Sequence, residues 1–315
     1  MINAGKEPLS ALVYAPTKGD TAGLRLDLTQ KVAIAAKGTA TPAVLSPPQA
    51  LDFDVTTEDA SATSSLVSML LKGITLKPID GLDADTLGEL GKQLGKLKGY
   101  SLRQRLNSHG EPTETKVDMP PAAPQGAEML VNAMGAVLRA MIPVLPEGDV
   151  GPGAKWQVLS REDHSGASVV QMVEYTLKQR SGDNVTLDFK TRQLAAGDNV
   201  KLPTGTPLGV TTRLTKFTTS SSGSLVLDTK QMAPLKGKTT QDSKLALDVL
   251  ATGQTGVKMQ TEADMKMTVT IARREGGAAA GGGAGAAGGG TAAPTATAAP
   301  TATATATATA TETPK

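Results

Sequence analysis

The sequence predicts a mainly β, α+β fold built on long, curved antiparallel sheets. Three observations predict it. Apolar and polar side chains alternate with period two through most of the chain; turn-forming clusters separate those runs; and only two segments repeat apolar residues at helical spacing.

The elements follow in chain order. Leu24, Leu26 and Leu28 alternate with Arg25, Asp27 and Thr29, and Leu51, Phe53 and Val55 alternate with Asp52, Asp54 and Thr56. Each run suits a strand with one wet and one dry face. The segment Asp83–Lys98 carries Leu87, Leu90, Leu94 and Leu97 as a narrow helical stripe, with Asp83 or Asp85 placed to cap it. Gly88, Gly91 and Gly95 interrupt that helix. Each costs about 1 kcal/mol relative to Ala, so close backbone approach and a partly frayed helix are both open readings. Tyr100 and Leu102, the turn Asn107-Ser108-His109-Gly110 and the return through Lys116 to Met119 predict a hairpin. A second helix is predicted over Gly126–Ile142, where Leu130, Met134, Val137, Leu138 and Met141 share a face and Pro143 and Pro146 stop the chain.

Another hairpin is predicted around Ser181-Gly182-Asp183-Asn184, between Val169–Gln179 and Val185–Leu194. Leu245, Leu247 and Val249 mark a further strand. The longest alternation runs from Val257 to Ile271, which at about 3.3 Å per residue spans roughly 50 Å. So long a strand requires a large, curved sheet or a break. LDFDVT at Leu51–Thr56 echoes LDFKTR at Leu187–Arg192. Two related half-barrel-like halves would produce that echo, as would chance among alternating sequences. The predicted organisation is a β-rich half with two helices over 1–146, an antiparallel β half over 147–275, and a tail over 276–315. The tail has Gly/Ala and then Ala/Thr/Pro composition and almost no charge, so it is expected to be a disordered linker and stalk.

Composition narrows the function classes. Aromatic residues are only 2%, with 1 Trp, 3 Tyr and 3 Phe. The core must rest on Leu, Val, Ala, Met and Ile, and a base-stacking nucleic-acid platform is not expected. Net charge is +2, too small for a global field toward nucleic acid or anionic membrane. Without Cys, thiolate catalysis, thiolate metal sites and disulfides are excluded. No apolar run is long enough for a transmembrane helix, and the first residues show no basic-then-apolar secretory pattern.

Catalytic signals are absent as well. The 2 His, His109 and His164, sit in the turn-like settings SHGE and DHSG with no ligand spacing. No phosphate loop, dinucleotide fingerprint or nucleophile elbow is present. Asp80, Asp83 and Asp85 lack the ligand order of a calcium loop. No catalytic residue, metal site or cofactor is therefore assigned. Lys92, Lys96 and Lys98 read as a solvated helix face or a weak anion-binding edge. Met259, Met265 and Met267, with Leu130, Met134 and Leu138 on the second helix, read either as core or as an adaptable apolar cleft for a lipid-like ligand.

The junction Leu145-Pro146-Glu147-Gly148-Asp149-Val150-Gly151-Pro152-Gly153-Ala154-Lys155-Trp156 resembles the LP-x-x-x-VGxGAxW pattern of a family of bacterial β-rich proteins carrying a domain of unknown function. The start around Ala4–Pro8, the His109-Gly110 hairpin and the Met-rich strand ending at Ile271 are similar too. The resemblance covers roughly Ala4 to Arg274. It implies an exported, periplasmic or cell-surface protein and supplies no catalytic residue. A curved sheet with helices on its concave face also resembles periplasmic lipoprotein carriers, by analogy of fold. The expected function is a non-enzymatic envelope protein binding a lipid-like ligand, with an envelope component as the other candidate partner. The alternative is a structural or interaction protein displayed through the tail.

Overall fold

The computed structural model describes residues 1–36, 39–40, 44–124, 127–164, 167–200, 210–251 and 258–274. The predicted tail lies outside them. The strands are β1 (Thr21–Ala36), β2 (Thr39–Ala40), β3 (Val44–Ala60), β4 (Ser64–Leu76), β5 (Ser101–Asn107), β6 (Pro112–Asp118), β7 (Lys155–His164), β8 (Ala167–Ser181), β9 (Asn184–Val200), β10 (Val210–Asp228), β11 (Lys236–Ala251) and β12 (Lys258–Arg274). The helices are α1 (Ala84–Gly95) and α2 (Glu128–Ala140).

All described strands belong to one antiparallel sheet in the order β6-β5-β4-β3-β1-β12-β11-β10-β9-β8-β7, with β2 hanging on β1. The first half of the chain meanders outward from β1, and the second half meanders inward to β12. The β1–β12 ladder, from Gly23↔Arg274 to Ala36↔Thr261, joins them. Residues Met1–Ala278 accordingly form one compact unit. The echoing LDF segments fall on β3 and β9, which hold different places relative to that seam.

The sheet is open, since β6 and β7 are unpaired edges, yet it curls. Leu102 and Leu106 near one edge share a single apolar cluster with Trp156 and Tyr175 near the other. Bulges at Leu28/Gln30, Leu177/Gln179 and Leu214/Lys216 supply local bends. Glycines serve the same end. A Cβ on Gly223 would strike the Phe189 ring and the Lys238 carbonyl, and one on Gly237 would strike Leu225. Those side chains fill the space that the glycines vacate.

The cluster occupies one end of the curl, where Leu24, Leu26, Phe53, Met69, Leu71, Leu102, Leu187 and Leu225 meet Val131, Met134 and Leu138 of α2. The N-terminal segment straps that end. Asn3 bridges to Lys155 and Ser10 to Val150. The Tyr14 amide then donates to the Ser108 carbonyl, and Ala15 to that of Thr229. The Tyr14 hydroxyl donates to the Pro143 carbonyl at 3.0 Å, and Arg180 donates to Ser10 and Ala11. The Gly-rich junction has its reason here. A side chain on Gly151 would overlap the Lys6 and Pro8 carbonyls, and Gly5, at φ +88°, lies against Gly151 and Ala154.

Candidate functional site: the inner face of the sheet

Opposed residues in an antiparallel ladder share a face, so the register writes the inner face as rows across the strands. The row Trp156, Tyr175, Phe189, Gly223, Thr239, Val269 and Leu28 closes the packed end. Trp156 and Tyr175 stack with centroids 5.4 Å apart, and Phe189 tilts against Tyr175 at 6.4 Å. Trp156 Nε1 donates to the Val144 carbonyl at 2.8 Å, which ties the junction to the sheet.

Beyond that row the inner face turns polar. Gln171, Gln193, Thr219 and Ser243 follow one another across β8 to β11, and Gln241 lies one rung nearer the core. Gln193 Nε2 donates to Gln171 Oε1 at 2.6 Å, Thr219 Oγ1 to Ser243 Oγ at 3.0 Å, and Gln241 Nε2 to the same Ser243 oxygen at 3.0 Å. Gln193 is 9% exposed, and its Oε1 accepts no hydrogen bond from the described residues. An unpaired buried amide oxygen is costly, so this band is a place where a ligand donor would be favoured.

Past the band the face is apolar again, outside the core cluster. Val32 and Ile34 of β1, Met265 of β12, Leu245 of β11 and Phe217 of β10 line it. Ile34 is 47% exposed, and the others are half-buried. None of these five belongs to the core cluster or packs against it.

The sequence-derived cleft residues divide between these zones. Met134 and Leu138 are buried in the core, and Met267 packs against it half-buried. Met265 lies in the outer apolar zone, where its sulfur accepts from Gln30 Nε2 at 3.1 Å. Met259 pairs with Val249 farther along β12. The side chains of Met259 and Leu130 lie outside the described residues. The packed end of the cleft is thus filled by the protein's own side chains, and the second apolar zone starts at Met265. Sequence reading missed Ile34, Phe217, Leu245 and the polar band. Gln193 was in phase with Leu187 and Phe189, a visible polar intrusion on the apolar face. The run Thr218–Ser222 has no alternation to read.

Chemically, this arrangement offers an apolar wall beside amide and hydroxyl groups. Among the described residues no three His, Cys, Asp or Glu side chains cluster as metal ligands. No helix among them is long and apolar enough to cross a membrane. No family model and no curated protein matches the chain. Among solved structures it is similar to one of lipovitellin, described for its lipid–protein interactions, at 9% identity and a TM-score of 0.43. The match covers 85% of this chain and 26% of the lipovitellin chain, so the chain spans about a quarter of that protein's length.

Proposed function

We propose that the protein is a non-enzymatic binding module that takes a lipid-like, amphipathic ligand on the inner face of its sheet. The observation that supports this reading is the apolar zone of exposed Ile34 and half-buried Phe217, Leu245 and Met265, bordered by the hydrogen-bonding band at Gln171, Gln193, Thr219 and Ser243. The hydrocarbon part of the ligand lies on the apolar zone, and its polar head meets the band. Magnitude selects for a long chain. Association costs about 4–15 kcal/mol in lost freedom, and each buried methylene returns about 0.8 kcal/mol. Roughly ten methylenes are therefore needed to exceed even a moderate cost, which small apolar molecules do not supply.

Native mass spectrometry of the purified protein after incubation with a lipid extract tests the reading. Wild type should acquire discrete lipid adducts. Ile34→Asp and Phe217→Asp should lose them, whereas Leu159→Asp, which changes an exposed residue on the opposite face, should keep them. Repeated absence of adducts on wild type would reject the proposal.

A second reading, an envelope interaction protein tethered through its tail, rests on the Gly/Ala and Ala/Thr/Pro composition of residues 276–315. In that reading the sheet displays a surface and the tail sets its distance from an anchor.

A further inference from the structure

The outer face of the sheet carries a concavity of about 660 Å³ whose walls span β7 to β11. Its size lies in the range of about 300–1,000 Å³ usual for small-molecule sites. The ladder sets its lining in two rows. Lys155, Thr176, Asp188, Ser224 and Lys238 form one, and Glu174, Lys190, Ser222 and Thr240 form the other. Lys178 joins them at the β8 bulge. Four lysines therefore face two carboxylates.

Both carboxylates have other contacts. Lys178 Nζ lies 3.6 Å from Asp188, and Glu174 accepts from Gln157 Nε2 at 3.2 Å. Lys190 stands opposite Glu174 in the ladder but forms no ion pair with it. Lys155, Lys190 and Lys238 have no carboxylate within 4.0 Å among the described residues. Several lysines elsewhere on the protein's surface are paired. Lys72 pairs with Asp54 at 3.1 Å, Lys77 with Asp27 at 3.4 Å, Lys230 with Asp183 at 2.7 Å, Lys244 with Asp264 at 3.8 Å and Lys266 with Asp242 at 3.6 Å. Lys31, Lys216 and Lys236 also have no carboxylate within 4.0 Å among the described residues but stand outside the concavity, whereas Lys155, Lys190 and Lys238 gather around one concavity rimmed by hydroxyls.

We propose that this groove binds a small ligand bearing several phosphate groups. The number of charges follows from spacing. Lys155 and Lys238 are four strands apart in one row, and strands lie about 4.8 Å apart. The ammonium groups therefore spread over up to about 20 Å, more than one phosphate reaches. The identity of the anion follows from the donors. The lining holds ammonium point charges and Ser/Thr hydroxyls but no Arg, a set suited to phosphate oxygens rather than to bidentate carboxylate capture. The aromatic residue in its lining, Phe189, turns its ring to the inner face against Tyr175, so it offers the groove no stacking platform of the kind single-strand binders use. The phosphates are borne either by a free polyphosphorylated molecule or by a lipid headgroup, which present the same oxygens to the same lysines.

Calorimetry of the full chain with sodium tripolyphosphate, and flotation with phosphatidylcholine vesicles doped with phosphatidylinositol bisphosphate, separate those sources. The variant Lys155→Gln/Lys190→Gln/Lys238→Gln should weaken binding roughly tenfold or more. The variant Lys72→Gln/Lys244→Gln/Lys266→Gln, which removes equal charge from paired positions, should leave it near wild type. Glu174→Gln, which removes an acid from the groove, should tighten it; a purely structural role for these residues would not have that effect. Binding of tripolyphosphate identifies a free ligand, and binding of doped vesicles alone identifies a headgroup. Failure of both probes overturns the proposal, as does equal weakening by the two triple variants, or preference for a single-stranded oligonucleotide over tripolyphosphate. Circular dichroism of each variant establishes that it is folded. If the groove triple is not, the single variant Lys190→Gln carries the same comparison.

Discussion

Tyr100 is wholly buried, and its hydroxyl accepts or donates no hydrogen bond among the described residues. It faces Gly135 of α2, where any side chain would press on the phenol oxygen. Burial pushes the phenol up to about 12, with the nearby Arg139 cation pulling it partly back. Tyr14 is likewise raised by burial, and next by Tyr175. Because the folded value of Tyr100 exceeds the unfolded value of 10.0, the unfolded chain releases its proton first. The contribution is complete below pH 10 and is lost as pH rises through the folded value. Urea denaturation should therefore show stability declining above pH 10. Tyr100→Phe removes the unpaired hydroxyl and should gain about 1 kcal/mol at neutral pH, with a shallower alkaline decline that Tyr14 sustains. An equal or larger loss of stability in Tyr100→Phe would mean that the hydroxyl has a partner.

At the scale of an element, α1 shows how a weak helix is held. No residue of Ala84–Gly95 is buried. Leu94 packs partly against the core, and Leu97, just past the helix end, is buried. The start is fixed by Asp83, which accepts from the Thr86 amide at 2.8 Å and from its hydroxyl at 2.7 Å. Those bonds lower the Asp83 carboxyl below its usual value, so the cap weakens as pH falls through that lowered range. The three helix glycines do not serve close packing, because a Cβ on Gly88, Gly91 or Gly95 meets nothing within 4 Å. Gly88→Ala and Gly91→Ala should each stabilise the helix by up to about 1 kcal/mol. The checks are greater helical ellipticity and a higher melting temperature. A lower melting temperature would show that these positions need a backbone geometry that Ala disfavours.

At the scale of the whole molecule, the described strands form one continuous sheet. The first and last strands of its meander, β1 and β12, lie side by side at the centre, and the N-terminal strap fastens the curl from Asn3 to Ala15. That arrangement places every described strand within Met1–Ala278. Truncation after Ala278 should leave the melting temperature and the β-sheet signal of the protein unchanged. In the tethered reading the same truncation should release the protein from the cell surface in fractionation. Unchanged fractionation would remove that reading while leaving ligand binding on the inner face to be judged by its own test.

Alternation determined that the protein is mostly strand and that the strands are long, and apolar residues at helical spacing put its two helices near residues 83–98 and 126–142. Period-two burial is a local property, written residue by residue into β1, β3, β9 and β12. The turn at Ser181–Asn184 and the cap at Asp83 were local in the same sense, since their side-chain chemistry acts within a few residues. The tertiary structure decided what no local pattern carries. Tertiary packing buried Met134 and Leu138 in the core with Met267 half-buried against it, and register set Met265 beside Ile34 and Phe217 in a second apolar zone. The same pairing brought Lys155, Lys190 and Lys238 from three strands to one groove. Which side chains share a row depends on ladders between residues far apart in sequence, and Lys155 and Lys238 come together only once β7 to β11 have paired.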